Sequence, residues 1–223
     1  MKTMIIIAAY NEEKAIGDVL KDLRDHDYKD VVVVDDGSSD NTAEAAKEAH
    51  VVRHAINRGQ GAALRTGLQY ALDHGADIIV TFDADGQHQA KDLPKLVDPI
   101  KEGKVKAVLG SRFIGGLTKM PWKRKLLLKG SIIVQYLFYG IKLTDAHSGL
   151  RALHKDAASK IDIRSDGMAH SHEFAEQIHK HKITFKEAPI DVRYTEYTMS
   201  KGHGSFSQAF KVLFAMLKDK FVK

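Results

Sequence analysis

Unbroken apolar runs alternate with amphipathic stretches through the first half of this chain, and that alternation restricts the fold more than any other feature. Met4-Ile5-Ile6-Ile7-Ala8 reads as a buried strand. After it, Ala15, Ile16, Val19, Leu20 and Leu23 recur at helical spacing, with Asn11 placed to cap the helix. Val31-Val32-Val33-Val34 is a second strand, followed by a helix capped near Asp40-Asn41-Thr42 and running to about Glu48. Val51-Val52-Arg53-His54 is a third, and residues 62–74 form the helix after it. Residues 78–82 make a fourth strand, 93–102 a helix and 107–109 a fifth strand. Strands that are apolar throughout, without alternation, are buried on both faces. Such strands separated by helices predict a mostly parallel α/β sheet with helices on each side.

The second half is less regular. A basic stretch, 118–129, carries the single tryptophan, Trp122, and leads into an apolar helix to about Leu143. A strand is expected around 149–154, a helix over 171–181, and a strand within 183–193 that closes the sheet. Near the end, Phe206, Phe210, Leu213, Phe214, Leu217 and Phe221 fall on one helical face, with Lys211, Lys218 and Lys220 on the remainder. The expected organisation is therefore one domain over 1–201 with a C-terminal amphipathic helix over 202–223. That helix is suited to packing on the domain, to a homodimer interface or to a membrane surface.

Composition removes several classes of function. With no cysteine, the chain has no disulfide, no cysteine-zinc site and no thiol nucleophile, which suits a reducing cytoplasm. Its net charge of +5 is spread along the chain and fits an anionic ligand or membrane surface better than a nucleic-acid track. The apolar segment 126–143 is interrupted by Lys129, Ser131, Gln135 and Lys142, so it reads as a partly buried helix and not a membrane span. No secretory leader is legible. The expectation is a cytoplasmic protein, with peripheral membrane contact allowed by Lys119, Lys123, Arg124 and Lys125.

The first four strands each end in groups suited to a nucleotide. Tyr10 can pack on a base and Glu12 can accept a hydrogen bond; Asp36 suits the same work, beside Gly37. Arg58, Gly59 and Gly61 precede a helix N-terminus, where amides and dipole favour phosphate. Asp83 and Asp85 flank Ala84, so both carboxylates can approach one hard cation whose remaining ligands are water and substrate phosphates. Taken singly, each segment is a capped turn. Their order along one sheet edge makes a nucleotide site.

Those segments carry a resemblance. Ile6-Ile7-Ala8-Ala9-Tyr10-Asn11-Glu12-Glu13, Val33-Val34-Asp35-Asp36-Gly37-Ser38-Ser39-Asp40-Asn41-Thr42, Asn57-Arg58-Gly59-Gln60-Gly61 and Asp83-Ala84-Asp85-Gly86-Gln87-His88 resemble the family-2 glycosyltransferases of the GT-A fold. Gly110-Ser111-Arg112-Phe113 and Ser148-Gly149-Leu150-Arg151-Ala152 are similar to the dolichyl- and polyprenyl-phosphate hexose synthase branch. The resemblance implies a metal-dependent, inverting transfer of a hexose from a UDP- or GDP-sugar to polyprenyl phosphate or a cell-envelope glycan. It implies that Ala8, Tyr10, Glu12, Val34 and Asp36 hold the nucleoside, with Arg58 nearby. Asp83, Asp85 and Gln87 would surround Mg²⁺ or Mn²⁺, with Ala84 against the nucleotide. Arg112 would line the phosphate region and Lys201 the loop over the diphosphate. For a hydroxyl acceptor, Glu173 or Asp145 would serve as base.

Two departures stand out: Ala8 replaces the usual proline, and Thr195 replaces an arginine six residues before Lys201. A haloacid dehalogenase-type phosphatase also places Asp-x-Asp-Gly after a strand, but Gln87 follows the glycine where threonine is usual there. A sugar-nucleotide pyrophosphorylase would want a Gly-rich basic loop where Tyr10-Asn11-Glu12-Glu13 stands. A non-catalytic nucleotide-sugar-binding subunit is the third alternative. His147, His154, His170, His172, His179 and His181 lack zinc spacing and read as surface or solvating residues.

Overall fold

The computed structural model describes residues 1–114, 130, 136, 140–145, 148–167 and 170–193. Its sheet contains β1 (Thr3–Ala9), β2 (Val31–Asp35), β3 (His50–Arg53), β4 (Ile78–Asp83), β5 (Ala107–Ser111), β6 (Arg151–His154) and β7 (Phe185–Pro189). The helices are α1 (Ile16–Asp25), α2 (Thr42–Ala45), α3 (Gln60–Asp73), α4 (Leu93–Lys101), α5 (Lys155–Ala158) and α6 (His170–Lys180). The strand order is β3-β2-β1-β4-β6-β5-β7. β6 runs antiparallel to both of its neighbours, and every other pairing is parallel. This is the mostly parallel α/β sheet expected from the apolar runs, made mixed by the antiparallel β6.

Strand alternation explains why those runs are apolar at every position. Ile5, Ile7, Val31, Val33, Ile78, Val80 and Phe82 face one layer, packing with Ile16, Val19, Leu20 and Leu23 of α1 and Leu93, Leu96, Val97 and Ile100 of α4. Met4, Ile6, Val32, Ile79, Leu109 and Leu153 face the other, against Leu64, Leu68 and Ala71 of α3 and Phe174, Ala175 and Ile178 of α6. The apolar residues of the central strands thus alternate between two cores.

Two local expectations need correction. Asn11 does not cap α1: it adopts a left-handed φ of 54°, and its side chain accepts from the Ser39 amide at 2.9 Å. α1 starts instead at Ile16, on a turn in which the Glu12 carbonyl accepts from Ala15 and Ile16. α2 stops at Ala45, short of Glu48, because the chain tightens there into i→i+3 turns, Lys47 to Glu44 and Ala49 to Ala46. The last strand, β7, does close the sheet, as its outer member beside β5, while β6 returns to fill the slot between β4 and β5. The C-terminal helix over 202–223, Trp122 and the greater part of the basic and apolar segment 118–143 lie outside the described residues.

The loop after α5 is clamped onto the start of α3. The Asp166 carbonyl accepts from Gly61 N at 2.8 Å, and Arg65 donates to Ile163 O at 2.8 Å and Asp166 Oδ1 at 2.7 Å. A Cβ on Gly61 would sit 1.9 Å from Ser165 O, so only glycine allows this approach. Gly61→Ala is expected to lower stability by about 1–3 kcal/mol or more, the range for overpacking a close contact. Chemical denaturation reads this directly.

Candidate active site

Register places three of the expected nucleotide residues in one row. Ala8 of β1 pairs with Val34 of β2 on one side and with Asp83 of β4 on the other. The C-terminal ends of three parallel strands therefore open into one crevice, the place where open α/β sheets take ligands. Tyr10 projects from the end of β1, 46% exposed, and is free to stack on a flat ligand. Glu12 is buried beside it, its backbone amide donating to Thr42 Oγ1 at 2.8 Å.

Asp36 is also buried, and the chain itself occupies its carboxylate. Its Oδ1 accepts from Arg58 N at 3.0 Å and lies 2.7 Å from His54 Nδ1, while its Oδ2 accepts from Gly59 N at 2.6 Å. His54 is held in turn by Thr66 at 2.9 Å. The amides before α3, read from sequence as a phosphate cradle, thus donate to Asp36 and Asp166 inside the protein. Their glycines serve close packing. The Arg58 side chain is exposed and lies 3.7 Å from Asp166 Oδ2.

At the end of β4, Asp83 and Asp85 face one another electrostatically. Burial pushes the Asp83 carboxyl up, but His88 and then Arg151 outweigh it and hold it below the usual carboxylate range. His88 Nε2 lies 2.9 Å from Asp83 Oδ2. Burial, and then the charge of Asp83, push Asp85 above that range. The two carboxylates thus differ: Asp83 is held ionised by its positive neighbours, and Asp85 resists ionisation first because it is buried and then because Asp83 is charged. Gln87 approaches this pair as a donor: its amide N–H reaches Asp85 Oδ1 at 3.0 Å and its side-chain Nε2 reaches Oδ2 at 2.6 Å. Ala84 is buried between the aspartates.

Beyond the aspartates, Arg112 and Asp145 form a buried two-pronged pair, with Nε–Oδ2 at 2.6 Å and Nη2–Oδ1 at 2.7 Å. Arg112 N adds a bond to Asp145 Oδ2 at 3.1 Å. Glu187 of β7 fixes the loop that carries Asp145, accepting from Thr144 N and Oγ1 and from Asp145 N. Burial raises the Glu187 carboxyl despite the Thr144 donors. Removing one member of a buried pair leaves the other charge stranded, so Arg112→Met is expected to destabilise by about 3–5 kcal/mol. Thermal or urea unfolding measures this.

Glu173, the other base suggested by sequence, holds the loop before α6: its Oε2 accepts from Arg164 N at 2.9 Å and its Oε1 from Ser165 N at 3.0 Å. Lys201, Thr195 and His147 lie outside the described residues.

Two histidines depart from the surface reading. His170 and His172 are buried on the inner face of α6, whereas His179 and His181 are exposed. Burial, then the neighbouring Arg151, push His170 down to about 4, so it is neutral at physiological pH. Among the described residues, no group of three or more His, Asp or Glu side chains is placed to hold a metal alone. His88 and Arg151 are neighbours of the aspartates that the sequence did not single out, although both sit inside the motifs quoted above. An arginine two residues past a glycine, opening an apolar strand, was the available signal.

The row at the strand ends, the paired aspartates and this sheet order define an α/β fold of the GT-A type. The family model for glycosyl transferase family 2 matches residues 4–162, and the chain belongs to that family of glycosyltransferases. An uncharacterized protein of Methanocaldococcus jannaschii is 44% identical, covering 97% of this chain and 91% of its own. A UDP-N-acetylglucosamine–dolichyl-phosphate N-acetylglucosaminyltransferase of Methanococcus voltae is 36% identical over 98% of this chain and 96% of its own. Among solved structures, glucosyl-3-phosphoglycerate synthase from Mycobacterium tuberculosis, in complex with Mn²⁺, UDP and glucosyl-3-phosphoglycerate, superposes with a TM-score of 0.70 at 18% identity. That match covers 98% of this chain and 79% of the other.

Proposed function

We propose that this glycosyltransferase moves a hexose, with inversion, from a nucleoside-diphosphate sugar to a polyprenyl-type lipid phosphate. The observation that carries the reading is the row Val34–Ala8–Asp83 with Asp85 just beyond it, which offers a nucleoside floor ending at two carboxylates. Tyr10 stacks on the base, and Glu12 and the Asp36 loop bound it. A uridine donor comes first, because the Methanococcus voltae relative is named for one and covers 98% of this chain.

The donor set at Asp83 and Asp85 fits a Mg²⁺ or Mn²⁺ ion that keeps most of its positions for substrate phosphates and water. Two carboxylates with Asp85 pushed up by burial and by Asp83 are what such an ion would relieve. A divalent cation bound there would supply Lewis-acid stabilisation of the departing diphosphate. Gln87 works through Asp85, fixing both of its oxygens. Lys201 completes the charge over the diphosphate, as the family pattern implies.

During transfer, an acceptor phosphate oxygen forms a bond to C1 as the C1–O bond to the diphosphate breaks, and the diphosphate leaves with the electron pair. A phosphate acceptor is already ionised and needs no base. That suits a site whose two carboxylates suggested for the purpose have other work: Asp145 pairs with Arg112 and Glu173 anchors residues 164 and 165. The Arg112 region receives the acceptor phosphate.

No helix among the described residues is long and apolar enough to cross a membrane. In this reading the lipid acceptor is reached from a peripheral position at the cytoplasmic face, through the basic stretch that contains Lys119, Lys123, Arg124 and Lys125. Calorimetric titration of UDP and GDP, with Mn²⁺ and with chelator, tests the donor half of the proposal. Tighter UDP binding that requires the cation is the expected result. Metal-independent binding of both nucleotides alike would refute the metal assignment.

A further inference from the structure

Arg151 is an arginine where the fold would be served by an apolar residue. It opens β6 in the middle of the sheet, pairs with Thr81 of β4 and Leu109 of β5, and is only 4% exposed. Its neighbours on that face belong to a hydrophobic core, and its guanidinium lies 4.6 Å from the centre of the Phe174 ring. Its Nη1 is buried without a hydrogen-bond partner. An orphaned donor on a buried charge is destabilising, and its retention calls for a reason outside packing.

The register supplies one. Residues directly opposite in an antiparallel pair, and residues two apart on a strand, share a face. Thr81 pairs with Arg151, so Asp83, two positions beyond Thr81, projects on the Arg151 side of the sheet. Gly149, two residues before Arg151, lies directly beneath the Asp83 carboxylate: a Cβ there would be 2.3 Å from Oδ1 and 2.4 Å from Oδ2. With no side chain at Gly149 between them, the positive charge of Arg151 acts on Asp83 from the same face of the sheet. Asp83 and Asp145 both act to hold Arg151 charged against the effect of its burial.

We propose that Arg151 is a positioning residue for the metal centre: a fixed internal cation beneath Asp83 that keeps the affinity for a free divalent ion low, so that the ion is held firmly only together with the donor's diphosphate. The inference rests on the metal assignment made under the proposed function. Its logic is Coulombic. A permanent positive charge near the aspartates orders Asp83 and opposes a second cation, and the diphosphate's negative charge tips the balance. An ion that binds with the diphosphate also leaves with it, which suits repeated turnover.

Mn²⁺ binding followed by electron paramagnetic resonance, without and with UDP, tests this independently of transfer. Arg151→Met keeps an unbranched chain against Phe174 and removes the charge. Without nucleotide, it is expected to bind Mn²⁺ about tenfold more tightly than the parent, the order expected for removing one like charge from a partly buried site. Arg151→Lys, which keeps the charge, should stay close to the parent. A merely structural arginine would give the opposite sign, since a loosened Asp83 weakens the ion. Unchanged or weaker Mn²⁺ binding by Arg151→Met, with the parent still binding Mn²⁺ plus UDP, overturns the proposal alone. A parent that binds no Mn²⁺ even with UDP overturns the metal assignment and this inference with it. If the methionine variant does not fold, Arg151→Gln carries the same expectation, and unchanged or weaker Mn²⁺ binding by it overturns the proposal in the same way.

Discussion

Asp85→Asn is expected to lower sugar transfer by at least about 10²–10³-fold, the loss seen when one group aimed at developing charge is withdrawn. The fold should be untouched. In metal-free buffer the variant should unfold at the same temperature as the parent or slightly higher, because burial and the Asp83 charge both oppose ionisation of Asp85. Replacing a reluctant anion with a neutral isostere removes that repulsion and keeps a carbonyl oxygen for the Gln87 amide, which donates at 3.0 Å. Function and stability thus move in opposite directions, as in sites where strain serves activity. A steady-state assay beside a thermal melt checks both. Loss of activity together with a collapsed melt would mean that Asp85 is structural.

Gly149→Ala should be the most damaging change among residues that carry no chemistry of their own. The new methyl group would overlap the Asp83 carboxylate, with Oδ1 at 2.3 Å. The backbone there is pinned, since Thr81 Oγ1 donates to the Gly149 carbonyl and β4 pairs with β6 just below. The side chain of Asp83 must therefore rotate away, losing its approach to His88 Nε2 at 2.9 Å. Displacing one of the two carboxylates proposed to hold the cation is expected to reduce activity and Mn²⁺ affinity by about 10–100-fold, as when a group supporting a metal ligand is lost. Stability should fall far less, because the strain is discharged into the open crevice. Calorimetry of Mn²⁺ with UDP distinguishes this from global unfolding, and unaltered Mn²⁺ affinity would contradict the placement of Asp83.

Among the described residues, local patterns were enough to give the central strands and the longer helices, since those strands are apolar on both faces and α1, α4 and α6 each carry one buried stripe. The direction and slot of β6 were not legible. Periodicity reports that Arg151–His154 is a strand, but its place between β4 and β5 depends on the chain between them. The row of Ala8, Val34 and Asp83 was implied by motif order and became geometry only through register. What sequence could not separate was chemistry from scaffolding among charged residues. Asp36 fastens the Arg58–Gly59 loop, Asp145 holds Arg112, and Glu173 anchors residues 164 and 165, each through partners outside its own local segment. The burial of His170 and His172 escaped for a similar reason. The inward turn of α6 is set by Phe174 and Ile178, and the two histidines are buried with them.

The most direct test of the account is transfer of radiolabelled hexose from UDP- and GDP-sugars to polyprenyl phosphate, with Mg²⁺ or Mn²⁺ and with chelator. Label that enters the lipid phase only when the cation is present is the result the account predicts, with UDP-sugars the better donors. Label reaching the lipid equally in chelator would contradict the role of Asp83 and Asp85, and metal-dependent nucleotide release without any lipid product would contradict the lipid-phosphate acceptor.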